Sequence, residues 1–252
     1  MEGKSVLVVG GSRGIGRACC LEFAHAGANV GFMYKSASDA ASKTLEAISA
    51  TQVKSLSIQA DVTDPAAVRR GFDQFIETFG RLDILVHSAG AMVDWSTVRD
   101  HDPEAWTKFI ENDLCGAFHT VQNAVRIMHD QGAGSIIAIS SIAAQMCQAR
   151  NSQGAAAKAG LEALIRVVAR EEGRYGIRAN AVAVGLTDTD MTKDAEDVFG
   201  KEAIGKLVKS FPIQRIARPE EIARVVFFLS GDDAAYITGK VLQVDGGQII
   251  AA

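Results

Sequence analysis

The chain predicts a single α/β domain built on a doubly wound, mostly parallel sheet of about seven strands, and three observations carry that expectation. Short β-branched runs alternate with longer stretches of helical period along the whole sequence. Several of those runs are continuously apolar rather than alternating, as strands buried on both faces are. With 252 residues and 48% hydrophobic content, the chain can fill one large core, and no repeat or low-complexity linker divides it.

The elements follow in order. "SVLVV" is the first strand, followed by a glycine-rich turn and a helix over about 14–26. "NVGFMY" is the second, with a helix over 37–50, and "KSLSIQA" the third, with a helix over 65–79. "LDILVH" is the fourth, and a long helical stretch over 103–130 leads to the fifth, "GSIIAIS". A helix over 152–174 precedes "IRANAVAV", and one over 219–230 precedes "KVLQVDGG". Residues 186–212 break this rhythm with mixed charge and scattered apolar side chains (Met191, Val198, Phe199, Leu207). A connection of that length in a compact domain is commonly a functional lid, with a solvated helical insertion as the alternative.

Composition narrows the function classes. A net charge of -4 and a pI near 5.8 give no electrostatic reason to expect nucleic acid or an anionic membrane. Cys19, Cys20, Cys115 and Cys147 form no C-x-x-C pair and stand near no histidine at zinc-ligand spacing, so reduced, mostly buried thiols and no metal are expected. The first strand begins close to Met1, and no apolar run approaches the roughly 20 residues of a membrane span. A cytoplasmic protein without a membrane anchor is the expectation.

"VLVVGGSRGIGRACC" runs strand, turn, helix. A helix N-terminus presents unpaired N–H groups and partial positive charge to a pyrophosphate, and glycines allow close approach. Gly10, Gly14 and Gly16, with Ser12, Arg13 and Ile15 between them, therefore predict a Rossmann-type dinucleotide site, although any tight strand-to-helix turn can use glycines. At the end of the second strand stands Met33-Tyr34-Lys35-Ser36, with no carboxylate to hold a ribose 2′-hydroxyl. Lys35 and Arg13 favour a 2′-phosphate, hence NADPH, unless both are ordinary surface charges.

Taken together, these residues resemble the short-chain dehydrogenase/reductase family over nearly the whole chain. Gly10, Gly14 and Gly16 match its cofactor turn, Asp61-Val62 its adenine-contacting pair and Ala89-Gly90 the end of its fourth-strand motif. Ser141 and Lys158 match its active site, where the lysine also holds the nicotinamide ribose, Gly185 and Thr189 its nicotinamide-contacting loop, and "ITGKVLQVDGG" its C-terminal signature. Val9, His87-Ser88 and Val184 depart from the commoner family residues. Two departures fall on the chemistry: the family's active-site asparagine aligns with Asp113, and its catalytic tyrosine aligns with Gly154.

The resemblance implies a changed reaction. In the family the tyrosine protonates a carbonyl oxygen, and losing such a group typically lowers rate by roughly 100-fold to 10,000-fold. Reduction of a carbon–carbon double bond conjugated to a thioester needs hydrogen-bond donors at the thioester oxygen and a proton at carbon. Aspartate in place of the asparagine, with the tyrosine missing, resembles the peroxisomal-type 2,4-dienoyl-CoA reductases and related enoyl-thioester reductases. The implied function is NADPH-dependent reduction of an unsaturated acyl thioester, with Asp113 and Lys158 as the acid–base pair, Ser141 at the oxygen and Gly154 leaving space. The alternatives are a carbonyl or imine reductase using another acid, and a catalytically impaired NADP-binding sensor or partner subunit in which Asp113 only balances Lys158. Lys193, Lys201, Lys206, Lys209 and Arg150 can meet coenzyme A phosphates, or form a solvated face with the acids among them. Small residues Ala155, Ala156, Ala157, Ala159 and Gly160, on a helix that packs between subunits in the family, point to a homotetramer, unless they serve packing on the sheet within one subunit.

Overall fold

The computed structural model describes residues 1–250. The strands are β1 (Ser5–Val9), β2 (Asn29–Tyr34), β3 (Ser55–Gln59), β4 (Ile84–His87), β5 (Gly134–Ser141), β6 (Ile177–Val184) and β7 (Val241–Val244). All pair in parallel in the order β3-β2-β1-β4-β5-β6-β7. The order reverses between β1 and β4, the switch point at which open sheets of this kind bind ligands beyond the strand C-termini. Gly10 follows β1, Ala89-Gly90 lies just past β4, Ser141 ends β5 and Gly185 follows β6, so the motif residues gather at that edge.

The helices are α1 (Gly14–His25), α2 (Ser38–Ser49), α3 (Pro65–Phe79), α4 (Pro103–Ile110), α5 (Gly116–Gln131), α6 (Ala143–Met146), α7 (Ser152–Glu172), α8 (Asp190–Phe199), α9 (Lys201–Ser210) and α10 (Pro219–Ser230). Successive side chains of a strand point to opposite faces. Leu7 and Val9 accordingly enter one core with residues of α3, α5 and α7, while Val6 and Val8 enter the other with residues of α1, α2 and α10. That two-sided burial explains the unbroken apolar runs. Several boundaries have local causes. Asp64 and Asp102 accept the Ala66 and Glu104 N–H groups at 2.8 and 3.1 Å, with proline at the next position, and so open α3 and α4. Gly80 and Gly132, at φ 77° and 69°, close α3 and α5 in the left-handed conformation.

Two sequence expectations, one continuous helix over 103–130 and mostly buried thiols, need correction. The single helix over 103–130 is interrupted by a π-helical turn, Glu111–Cys115, between α4 and α5. Segment 186–212 is largely the two helices α8 and α9, a form open both to a lid and to a solvated helical insertion. Its lysines are partly engaged with their own acids: Lys206 lies 2.7 Å from Glu202 and Lys193 4.0 Å from Asp190. The thiols divide differently from expectation. Cys19 and Cys20 are buried, with burial pushing Cys19 up to about 12 and Cys20 well above its ordinary value, but Cys115 and Cys147 are exposed. No helix among the described residues is long and apolar enough to cross a membrane, and no cluster among them can hold a metal ion.

Candidate active site

The glycine turn forms a cradle. At Gly10, φ is 84° and a Cβ would stand 2.8 Å from the Ala89 backbone nitrogen; at Gly16 a Cβ would collide with the Gly10 carbonyl group. Any side chain at either position would drive β1, α1 and the β4 loop apart. Arg13 precedes α1 without a side-chain cap, which leaves the first N–H groups of a 12-residue helix open to an anion. Ser12 is buried and its carbonyl accepts the Thr44 hydroxyl at 3.1 Å, fixing the turn against α2. Ile15 lies in the first turn of α1 and packs at the edge of the core. Thr189 covers the turn from the far side, its Cγ2 3.2 Å from where a Gly14 Cβ would be.

The cations assigned to a 2′-phosphate are not idle. Lys35 lies 2.8 Å from Asp61, and Arg13 lies 3.1 Å from Asp190 at the start of α8. Partial burial would raise the Asp61 carboxyl, but the Lys35 ammonium and hydrogen bonds from Thr63 hold it below the ordinary carboxylate range. Both lysine and arginine are more than half exposed, so these pairs are weak and can exchange for a phosphate. Val62 packs on α5: a Cβ at Gly116 would stand 2.6 Å from it, and its carbonyl meets His119 Nδ1 at 2.9 Å. Gly185 donates to the Val244 carbonyl at 3.1 Å and abuts Asp245, which ties the nicotinamide-side loop to β7.

Asp113 is 1% exposed and sits on the π-helical turn, a helix defect that frequently marks functional sites. Its Oδ2 lies 3.0 Å from Lys158 Nζ, while Oδ1 accepts the Ala91 N–H at 2.7 Å and Asn112 Nδ2 at 2.9 Å. Gly90 lies alongside; a Cβ there would be 3.3 Å from Asp113 Oδ2 and 3.8 Å from Lys158 Nζ. Asp113, Lys158, Gly90 and Ala91 thus form one cluster at the end of β4. Ser141 closes β5 next to it, with its Oγ accepting the Ala143 N–H at 3.1 Å, and no hydrogen bond among the described residues joins it to Asp113 or Lys158.

Two features of this cluster were not read from the sequence. His87 is fully buried beneath it, with Nδ1 2.9 Å from the Thr120 hydroxyl and Nε2 unpartnered. Burial and then the Lys158 cation push it down to about 3 against the pull of Asp113, so it is neutral. The second feature corrects the expectation that Gly154 leaves space. The Asn151 carboxamide fills that space, with Cγ and Nδ2 at 2.9 and 3.1 Å from the position of a Gly154 Cβ and Oδ1 nearer still. The three tyrosines lie elsewhere in the chain, Tyr34 on β2, Tyr175 in the turn after α7 and Tyr236 fully exposed before β7.

The α8 helix is fastened to the loop after β4. Trp95 Nε1 donates to Asp194 at 3.2 Å, and the Trp95 and Phe199 rings meet edge to face at 5.1 Å. Arg13–Asp190 joins the same helix to the glycine turn.

Comparisons with known proteins agree with this geometry. The protein-family model described as enoyl-(acyl carrier protein) reductase matches residues 9–248. The chain is 37% identical over 244 residues to 3-oxoacyl-(acyl-carrier-protein) reductase FabG of Staphylococcus aureus, covering 97% of each chain. Among solved structures, levodione reductase superposes with a TM-score of 0.96 at 31% identity, covering 98% of both chains. NAD+-bound xylitol dehydrogenase superposes with a TM-score of 0.95 at 27% identity, covering 98% of this chain and 99% of the other. Likeness in sequence and structure across nearly the full length makes this chain a member of the short-chain dehydrogenase/reductase family of oxidoreductases.

Proposed function

We propose that the protein is an NADPH-dependent reductase of a conjugated carbon–carbon double bond in an unsaturated acyl thioester. The observation that carries this reading is the buried Asp113–Lys158 pair at 3.0 Å beside a residue 154 that has no side chain. A positioned carboxylate and ammonium can pass a proton, directly or through a water, to a carbon that becomes basic. The same pair offers no neutral hydroxyl acid of the kind a ketone's oxygen needs. The Ser141 hydroxyl and nearby backbone N–H groups are suited to stabilising negative charge on the thioester oxygen. Bound in the Gly10–Gly14–Gly16 cradle, NADPH supplies the hydride.

A second reading rests on the relatives. The 37% identity to a 3-oxoacyl-(acyl-carrier-protein) reductase favours the carbonyl of a 3-oxoacyl thioester as substrate, with Lys158 and Asp113 taking over protonation of its oxygen. Both readings share the thioester. They separate on which bond is reduced.

The choice of NADPH rests on Lys35 and Arg13, each able to leave its carboxylate for a phosphate. NADPH is expected to bind at least about tenfold more tightly than NADH, a difference of about 1.4 kcal/mol. Lys35→Asp should shrink or reverse that preference in a fluorescence titration, and equal affinities in the unmodified protein would remove the assignment.

Assembly as a homotetramer belongs to the same proposal. Phe118 on α5 and Val167 on α7 are 45% and 48% exposed, the kind of outward apolar residue a two-fold helical interface covers. Light scattering at micromolar concentration should give four chains, and a monomer would count against it.

A further inference from the structure

Asn151 immediately precedes α7 and ignores the role its type prefers. Asparagine is among the best N-terminal caps, and Asp64 and Asp102 perform that function for α3 and α4. The Asn151 side chain makes no capping bond to α7. It turns instead across Gly154, where a Cβ would stand 2.9 Å from its Cγ and 3.1 Å from its Nδ2. Residues four apart share a helix face, so the carboxamide lies one turn before Lys158 on the face that meets Asp113. Asn151 is only 5% exposed, and its Oδ1 has no hydrogen-bond partner. Buried polar atoms are nearly always paired, and an exception calls for strain, a functional role or a bound water to explain it.

We propose that Asn151 is a substrate-positioning residue, its carboxamide standing where residue 154 has no side chain and holding the carbonyl oxygen of the acyl group. The proposal rests on the thioester reading and adds to it the group that fixes the acyl carbonyl beside Lys158. The Asn151 Nδ2 makes no hydrogen bond to the described residues and, unlike Oδ1, is not sealed from outside, so it can present its N–H to the incoming oxygen without turning. A carboxamide donates a hydrogen bond without surrendering a proton, which suits an oxygen that carries charge only transiently. Gly154 is then needed as glycine, since any Cβ there would displace the carboxamide.

The test uses the protein saturated with NADP+ and titrates it with trans-2-hexenoyl-CoA in a calorimeter, with NADP+ affinity and thermal midpoint as controls. Asn151→Asp keeps the shape and remains a good helix cap, but it replaces the N–H donor with a second acceptor. Asn151→Asp and Asn151→Ala should each weaken thioester binding about tenfold or more with both controls unchanged, and Gly154→Ala should weaken it likewise with NADP+ affinity unchanged. Binding by Asn151→Asp equal to that of the unmodified protein would overturn the positioning role and leave the thioester reading intact. No thioester binding by the unmodified protein would overturn the thioester reading and the proposal with it.

Discussion

Asp113→Asn should lower turnover of an unsaturated acyl thioester by roughly 100-fold or more, the scale of a lost acid–base group. Asparagine keeps the size of aspartate and can still accept the Ala91 N–H now held at 2.7 Å, so the π-helical turn should survive. What it loses is the charge facing Lys158 at 3.0 Å and the capacity to exchange a proton. NADPH affinity should be nearly unchanged, because the cradle at Gly10 and Gly16 is built from backbone. Asp113→Ala is a poorer test. It strands an ammonium that is only 14% exposed, and removing one partner of a buried pair typically destabilises by about 3–5 kcal/mol. Full activity of Asp113→Asn, measured as steady-state NADPH consumption, would reduce Asp113 to a scaffold.

His87 should make the fold sensitive to acid. Its imidazole is fully buried and titrates near 3, whereas in the unfolded chain it takes up a proton near 6.5. Between those values the unfolded state binds more protons than the folded one, so stability rises with pH and is lost as pH falls through that window. At about 1.36 kcal/mol per pH unit, the fall from pH 7 to 4.5 removes about 3 kcal/mol through this one group. His87→Asn abolishes that contribution while leaving the carboxylates to titrate as before. Urea unfolding at the two pH values should show the unmodified protein losing about 3 kcal/mol more than the variant. Equal losses would mean that His87 is protonated within the fold.

The parallel sheet was legible because its strands are buried on both faces, and runs such as Ser5–Val9 leave no helical alternative at that length. The cofactor cradle was legible for a related reason: only glycine tolerates the approach of Gly16 to the Gly10 carbonyl, so the spacing records the contact. Asp113 and Lys158 were legible as residues, but the π-helical turn that aims Asp113 was not. Nothing in "ENDLC" distinguishes a π-helical turn from an ordinary helical one, and the turn lies against α7, distant in sequence. The engagement of Arg13 and Lys35 with Asp190 and Asp61 depends on elements distant in sequence or separated by a strand. Asn151 was the hardest to foresee. Propensity assigns it to cap α7, and only the three-dimensional void above Gly154 gives its side chain another place.

The most direct measurement follows NADPH oxidation by the purified protein with trans-2-enoyl-CoA, 2,4-dienoyl-CoA, 3-oxoacyl-CoA and free ketone substrates under identical conditions. Reduction of the enoyl or dienoyl thioester, with the 3-oxoacyl thioester and free ketone reduced at least about 100-fold more slowly, is the result expected from a site with the Asp113–Lys158 pair and no residue-154 acid. Preferential reduction of the 3-oxoacyl thioester would contradict it.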